Sequence, residues 1–161
     1  MSIFSKENKS GGKRKFTGEL MSCVKGEIIR LDNVKDNIFS SGILGEGYAV
    51  IPEDSEIYSP VSGRVLDISD NGLSITVKSD DGLIVLVHIE PTPSDKRSAS
   101  VNLTVKVGDT INSGDNIGEI DFGKTQKSLI AVIITNSERL LELKVKTGIS
   151  LPNYSAATYS I

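Results

Sequence analysis

From about residue 17 to residue 146 the chain is written in short aliphatic and β-branched runs, each stopped by Gly, Asn, Asp, Ser or Pro. KGEIIRLDNV sets Ile28, Ile29 and Leu31 behind a glycine, and GYAVIP alternates Tyr48, Val50 and Pro52 with other residues. SGRVLDIS carries Val65, Leu66 and Ile68, and LSITVKS alternates Leu73, Ile75 and Val77. LIVLV is a continuous apolar run from Leu83 to Val87, and VNLTVKVGDTI, NIGEIDF and SLIAVIITN come after it. Runs this short, rich in branched side chains, suit a pleated and half-buried surface. Their regular spacing predicts an all-β fold, an antiparallel β-sandwich or flattened barrel with at most short helical turns. SDDG at 79–82 predicts a hairpin turn, because Gly82 accepts positive φ. Only SERLLELKVK at 137–146 invites a helical reading. The segment 147–161 is polar with scattered aromatics and is expected to pack loosely. VKGEIIRLDN (24–33) and VSGRVLDISD (61–70) share Val-x-Gly followed by aliphatics. A duplicated half-motif and simple convergence both account for that.

At 161 residues the chain supports one domain with a real core, and that core must be mostly aliphatic because Trp is absent and aromatics make up 5%. The net charge of −3 gives no reason to expect a nucleic-acid partner. One cysteine, Cys23, excludes an intrachain disulfide. There is neither an apolar stretch of membrane-spanning length nor the apolar run of a secretory signal, so a cytoplasmic location is expected. Residues 1–16 read as a flexible basic tail, with the β domain covering 17–161. In that tail Ile3 and Phe4 sit beside Lys6, Lys9, Lys13, Arg14 and Lys15, a composition suited either to solvent or to a weak membrane-surface contact.

A single histidine narrows the chemistry. Metallohydrolase sites usually draw on two or three histidines. A Ser-His-Asp triad is formally open, but the G-x-S-x-G elbow is missing. Phosphate-loop and dinucleotide fingerprints are missing too, and the G-x-G of Gly45 and Gly47 leads into a strand, without a helix dipole to hold a phosphate. His88 ends the LIVLV run and by alternation shares a face with Ile84 and Leu86. One reading is a half-buried strand histidine bonded to a backbone carbonyl. The other is a nucleophile at a strand end, since a neutral imidazole nitrogen attacks phosphoryl groups and an apolar surround excludes competing water.

Read in order, several segments resemble one family. The stretch Phe39 to Pro52, FSSGILGEGYAVIP, is similar to the F-A-S-G-x-x-G-x-G-x-A-[IV]-x-P signature of glucose-type IIA domains of the bacterial sugar phosphotransferase system. SPVSGRV at 59–65 resembles the family's A-P-V-x-G-x-[IV]. Ser79 to Gly82 with Leu86, Val87 and His88 resembles its D-x-G-x-E-[IL]-[LF]-[VI]-H segment. Val107-Gly108-Asp109 and Val132 to Asn136 resemble its V-x-x-G-D and V-[VI]-x-[TS]-N. The resemblance runs from about residue 18 to 145. It implies a duplicated-hybrid-motif-like fold. It also implies that His88 accepts a phosphoryl group from the small phosphocarrier protein HPr and passes it to a cysteine of a IIB domain of a sugar permease, with phosphoenolpyruvate as ultimate donor. A shallow docking face is then expected from Phe39, Ile43, Leu44, Ile75 and Leu86, with Asp36 at a family acidic position near it. A turn residue is the plainer role for Asp36.

The chain departs from the family around that histidine. The family's second active-site histidine, about 15 residues earlier, falls on Leu73, and a nearby threonine falls on Asn71. Leucine donates no hydrogen bond, and one lost preorganised donor typically costs on the order of 10²–10³ in rate. A family glycine two residues after the histidine is Glu90, which sets negative charge near an incoming phosphoryl group. Pro91 and Pro93 restrict the backbone beyond Glu90. The loop up to Val107 is about six residues shorter than usual and lacks the family's G-x-G-F segment. Zinc bridging in the family needs both histidines, so no metal and no cofactor are expected. The resemblance leaves two functions open: a phosphocarrier with altered chemistry, or a catalytically degenerate relative acting as a binding or regulatory module. VKVGDTINSGDNIGEID also resembles biotinyl and lipoyl carriers, but neither Met1 nor Met21 precedes the lysine those domains modify. Zinc-dependent β-lytic endopeptidases share similar strand motifs, but their several histidines are absent.

Overall fold

A computed structural model describes residues 16–35, 37–90, 100–122 and 129–161. In chain order its strands are β1 (Thr17–Met21), β2 (Gly26–Arg30), β3 (Glu46–Pro52), β4 (Glu56–Tyr58), β5 (Gly63–Ile68), β6 (Ser74–Ser79), β7 (Ile84–Glu90), β8 (Ser100–Leu103), β9 (Thr110–Ile111), β10 (Asn116–Asp121), β11 (Leu129–Ile134), β12 (Glu142–Val145), β13 (Gly148–Ser150) and β14 (Ser155–Ser160). One helical turn, α1 (Asn37–Ser40), and two 3₁₀ turns, Leu31–Asn33 and Ser137–Arg139, are the helical elements among the described residues. All strand pairs are antiparallel. The expected all-β architecture with short helical turns is what the chain adopts. Among the described residues no helix is long and apolar enough to cross a membrane.

The main sheet has eight strands in the order β13-β2-β3-β11-β7-β6-β5-β9, flanked by two three-stranded sheets, β1-β14-β12 and β4-β10-β8. Its order is a palindrome in kind. A two- or three-residue edge strand, β13 or β9, pairs with a glycine-led strand, β2 or β5, and the two halves meet where β11 pairs with β7. The Val-x-Gly segments therefore hold corresponding places. Gly26 opens β2 and Gly63 opens β5, and a Cβ on either would meet a neighbouring strand's carbonyl oxygen, Ile51 at 2.1 Å or Lys78 at 2.0 Å.

Alternation decides which side chains reach the core. Leu83, Val85, Val87 and Ile89 are fully buried in the large cluster with Ile75, Val77, Val132 and Ile134. Ile84, Leu86, His88 and Glu90 are half-buried on the opposite face. Each large aliphatic withdrawn from water contributes roughly 1.5–3 kcal/mol, so β6, β7 and β11 are pinned in register by the buried face. A second, smaller cluster covers the other face where Leu31, Val34 and Phe39 fold over Ala49, Ala131 and Ile133, with Leu44 and Leu86 packed against it. This explains the continuous LIVLV run: part of the polar-facing side is also covered.

The hairpin forms where expected. Gly82 has φ of +95° and its N–H donates to the Ser79 carbonyl at 3.0 Å. It is clipped from outside by Asn136, whose Oδ1 accepts from the Ile84 N–H at 2.8 Å and whose Nδ2 donates to the Gly82 carbonyl at 3.0 Å. Asn136→Ala is expected to destabilise the fold by about 2 kcal/mol, because two partly buried backbone groups lose their partner. Urea unfolding checks this; a change below about 0.5 kcal/mol is what ordinary surface substitutions give and contradicts the clip.

Two expectations are corrected. The segment 137–146 is not helical beyond its single 3₁₀ turn: it continues as β12, in which Leu143 and Val145 turn inward by period two and Glu142 to Val145 pair with β14. The segment 147–161 does not pack loosely. It forms β13 and β14, and β14 is the central strand of its sheet, with Ala156 and Ala157 fully buried. The Tyr159 hydroxyl donates to the Asp81 carboxylate of the hairpin turn. Small residues make a central strand here without the hydrophobic signature that a sequence scan seeks. Phe16 also pairs with Ile161 through both backbone hydrogen bonds, 3.0 and 2.9 Å. The basic residues Lys6, Lys9, Lys13, Arg14 and Lys15, and the segment with Pro91 and Pro93, lie outside the described residues.

Candidate active site

His88 stands on β7 in a row of directly paired residues that crosses five strands: Ile29, Ala49, Ala131, His88 and Ser74. Its two cross-strand neighbours are thus small, an alanine and a serine. Along its own strand the same face carries Leu86 before it and Glu90 after it. The small neighbours leave room above the sheet, and α1 brings the Phe39 ring to 5.9 Å from the imidazole centroid with the two planes 32° apart. Phe39 is itself buried against Ala49, Ala131 and Ile133, so one side of the imidazole rests on a fixed apolar wall. The other side opens to solvent, the His88 side chain being 25% exposed.

Both ring nitrogens are engaged. Nδ1 lies 2.6 Å from the Ser74 hydroxyl oxygen, and Nε2 lies 2.8 Å from Glu90 Oε1. Neither partner is the backbone carbonyl of the plainer reading. A carboxylate oxygen can only accept, so Nε2 carries the proton in this arrangement. The Ser74 hydroxyl then donates to Nδ1, or accepts from it if the ring is doubly protonated. Serine, imidazole and carboxylate form one hydrogen-bonded line on the sheet surface. Among the described residues no group of three or more His, Cys, Asp or Glu gathers as metal ligands.

The residues named from sequence divide. The Phe39 ring stands beside His88, Leu86 shares its face of β7, and Leu44 packs on the same smaller cluster as Phe39 and Leu86, while Ile43 is 80% exposed. Ile75 does not join that face. It pairs with Val87, one residue out of step with His88, and is fully buried in the main core. Asp36 lies outside the described residues. Leu73, at the place of the family's second histidine, points into the main core and contributes only its backbone. Its carbonyl accepts from the Ile89 N–H at 2.8 Å, and its N–H donates to Asn71 Oδ1 at 3.0 Å. Asn71 also accepts from the Ser69 hydroxyl at 2.8 Å, so it shapes the turn before β6.

Ser74 is the site residue that family spacing passes over. The hairpin register places it: Ser74 is five residues before Ser79 and His88 five after Leu83, the two ends of the turn. A cavity of about 420 Å³ is lined by Phe39, Arg30, Asp32, Glu46 and Lys144 among others, and His88 is not in its lining. The His88 side chain, one quarter exposed, is reached from solvent.

The family described as the phosphoenolpyruvate-dependent sugar phosphotransferase system, EIIA 1, matches residues 18–140. The chain is 33% identical over 122 residues to the PTS system beta-glucoside-specific EIIBCA component of Bacillus subtilis (strain 168), covering 73% of this chain but only 20% of that protein. It is 31% identical over 129 residues to the PTS system glucose-specific EIIA component of Oceanobacillus iheyensis, covering 78% of each. The corresponding Staphylococcus aureus (strain COL) component is 29% identical over 124 residues, covering 74% of this chain and 75% of that one. Among solved structures, glucose permease IIA from Mycoplasma capricolum superposes with a TM-score of 0.72 at 23% identity, covering 89% of this chain and 96% of that one. That likeness establishes the shared fold.

Proposed function

From the premise that this chain belongs to the glucose-type EIIA family of the phosphoenolpyruvate-dependent sugar phosphotransferase system, we propose that it is a phosphoryl carrier whose acceptor is His88. The observation that carries the reading is the placement of a solvent-reachable imidazole backed by the Phe39 ring and flanked by Ala131 and Ser74. An imidazole nitrogen attacks a phosphoryl group without prior ionisation. A docked partner shuts water out of the same surface, so that transfer outruns hydrolysis. The donor is phosphorylated HPr, and the onward acceptor is the IIB domain of a sugar permease. Ile43, Leu44, Leu86 and the Phe39 edge supply the apolar docking contacts. Asp36 and a membrane contact through the basic N-terminal segment remain part of the proposal on sequence grounds.

Incubation with phosphoenolpyruvate, enzyme I and cognate HPr is expected to place one acid-labile, base-stable phosphate on each chain. No label with cognate partners overturns the carrier reading. The second reading, a regulatory relative that binds partners without transfer, is favoured by the engagement of both ring nitrogens and by Leu73 in place of a second histidine. It expects His88→Ala to keep both partner binding and biological effect.

A further inference from the structure

We propose that Glu90 is a gate on the acceptor nitrogen: it holds the proton of His88 on Nε2 and keeps that nitrogen silent until the carboxylate swings away. The proposal rests on the carrier reading and adds a control to the same site.

The two partners of the imidazole differ in what they can do. Ser74 is symmetric, since a hydroxyl donates to an unprotonated Nδ1 or accepts from a protonated one with equal ease. At 2.6 Å it therefore orients the ring in either tautomer. Glu90 is asymmetric. Its oxygen, 2.8 Å from Nε2, offers only lone pairs and so favours the tautomer with the proton on Nε2. A nitrogen that carries a proton has no lone pair in the ring plane with which to attack phosphorus. Nδ1 has one, but it faces Ser74 on the adjacent strand, with the sheet behind it. Nε2 is the nitrogen a docking protein can reach once Glu90 turns. The Glu90 side chain is 32% exposed and ends the strand, so water is within its reach.

The step then balances. Glu90 rotates to solvent, and the proton on Nε2 is exchanged through water for one on Nδ1, which donates to Ser74 Oγ. The Nε2 lone pair forms the new bond to phosphorus as the phosphorus–nitrogen bond of the donor phosphohistidine breaks. The leaving electron pair returns to the donor's ring nitrogen. With Glu90 in its resting place, its charge also repels the incoming phosphoryl oxygens, so the gate acts on both the nucleophile and the approach.

The test uses the full-length chain with cognate phosphorylated HPr in single-turnover measurements. Glu90→Ala is expected to accept phosphate on the order of tenfold faster than wild type, which corresponds to about 1.4 kcal/mol of barrier. Glu90→Gln, which loses the charge but still reaches Nε2, is expected to fall between the two. A labelled wild type with Glu90→Ala equal or slower overturns the gate. Nitrogen NMR of the unphosphorylated protein supplies an independent readout, because one histidine gives one pair of imidazole signals. Where the ring is neutral, wild type should show a protonated Nε2 and an unprotonated Nδ1, and Glu90→Ala should weaken that bias. An unbiased wild-type ring overturns the gate even if phosphorylation succeeds. If no variant takes label but the tautomer bias is present, the carrier reading fails while the hydrogen-bond control stands.

Discussion

Replacing His88 with alanine is expected to abolish phosphoryl acceptance while leaving the β fold in place. His88 is the chain's one imidazole, so no other side chain can form a phosphohistidine. Ser74 is an alcohol that needs a base to attack, and its partner in the structure is His88 itself. Its phosphate ester would moreover be acid-stable and a poor onward donor. Residual labelling is expected at the background of a control without HPr. The fold should survive because both hydrogen bonds lost are to side chains with access to water, Ser74 half-buried and Glu90 32% exposed. Loss of about 1 kcal/mol lowers a melting temperature by about 2–4 °C in a domain of this size. Labelling and thermal unfolding of the same preparation separate the two effects. A variant that still takes up acid-labile phosphate contradicts the assignment, whereas one that fails to fold is replaced by His88→Gln.

The second large effect is structural and sits on β3. Gly47 pairs with Ile133 on β11, the strand that also carries Ala131 beside His88. A Cβ on Gly47 would lie 1.9 Å from the Val132 carbonyl oxygen and 2.9 Å from the Ile133 Cα. Both obstacles are backbone, so no side-chain rotation relieves them. Either β3 leaves β11 locally or the whole pairing shifts. Gly47→Ala is therefore expected to cost about 4 kcal/mol, in the range of severe core substitutions. That lowers the melting temperature by roughly 8–16 °C, or prevents folding. Gly42 is the control. It has φ of +78° but open space where a Cβ would go, so Gly42→Ala carries only the modest cost of an unfavourable backbone conformation. Similar melting temperatures for the two variants would contradict a close approach of β3 to β11.

Much of this fold is legible in residue order. The short branched runs, the SDDG turn and the glycine-led strands all come from local chemistry, and the structure uses each as expected. The segments that depart from expectation share a cause. SERLLELKVK has leucines at spacings that serve a helix or a strand, and β14, a partner distant in sequence, decides between them. SAATYS is too polar and small to announce itself, yet its two alanines are fully buried in the main core. Chemical type alone assigns Ile75 to the docking face. Its parity, readable by counting outward from the hairpin, sends it to the core. The same count pairs Ser74 with His88, whereas family spacing points to Leu73. Glu90 is legible as a nearby charge, but that its carboxylate reaches Nε2 depends on side-chain geometry that no pattern encodes.

Whether the His88 imidazole carries the phosphoryl group is tested most directly by phosphorus NMR of the uniformly ¹⁵N-labelled chain after phosphorylation by HPr. The expected result is one phosphorus resonance coupled to Nε2 of the single histidine. A phosphorus signal without nitrogen coupling, or no phosphorus on the chain with cognate partners present, would contradict it.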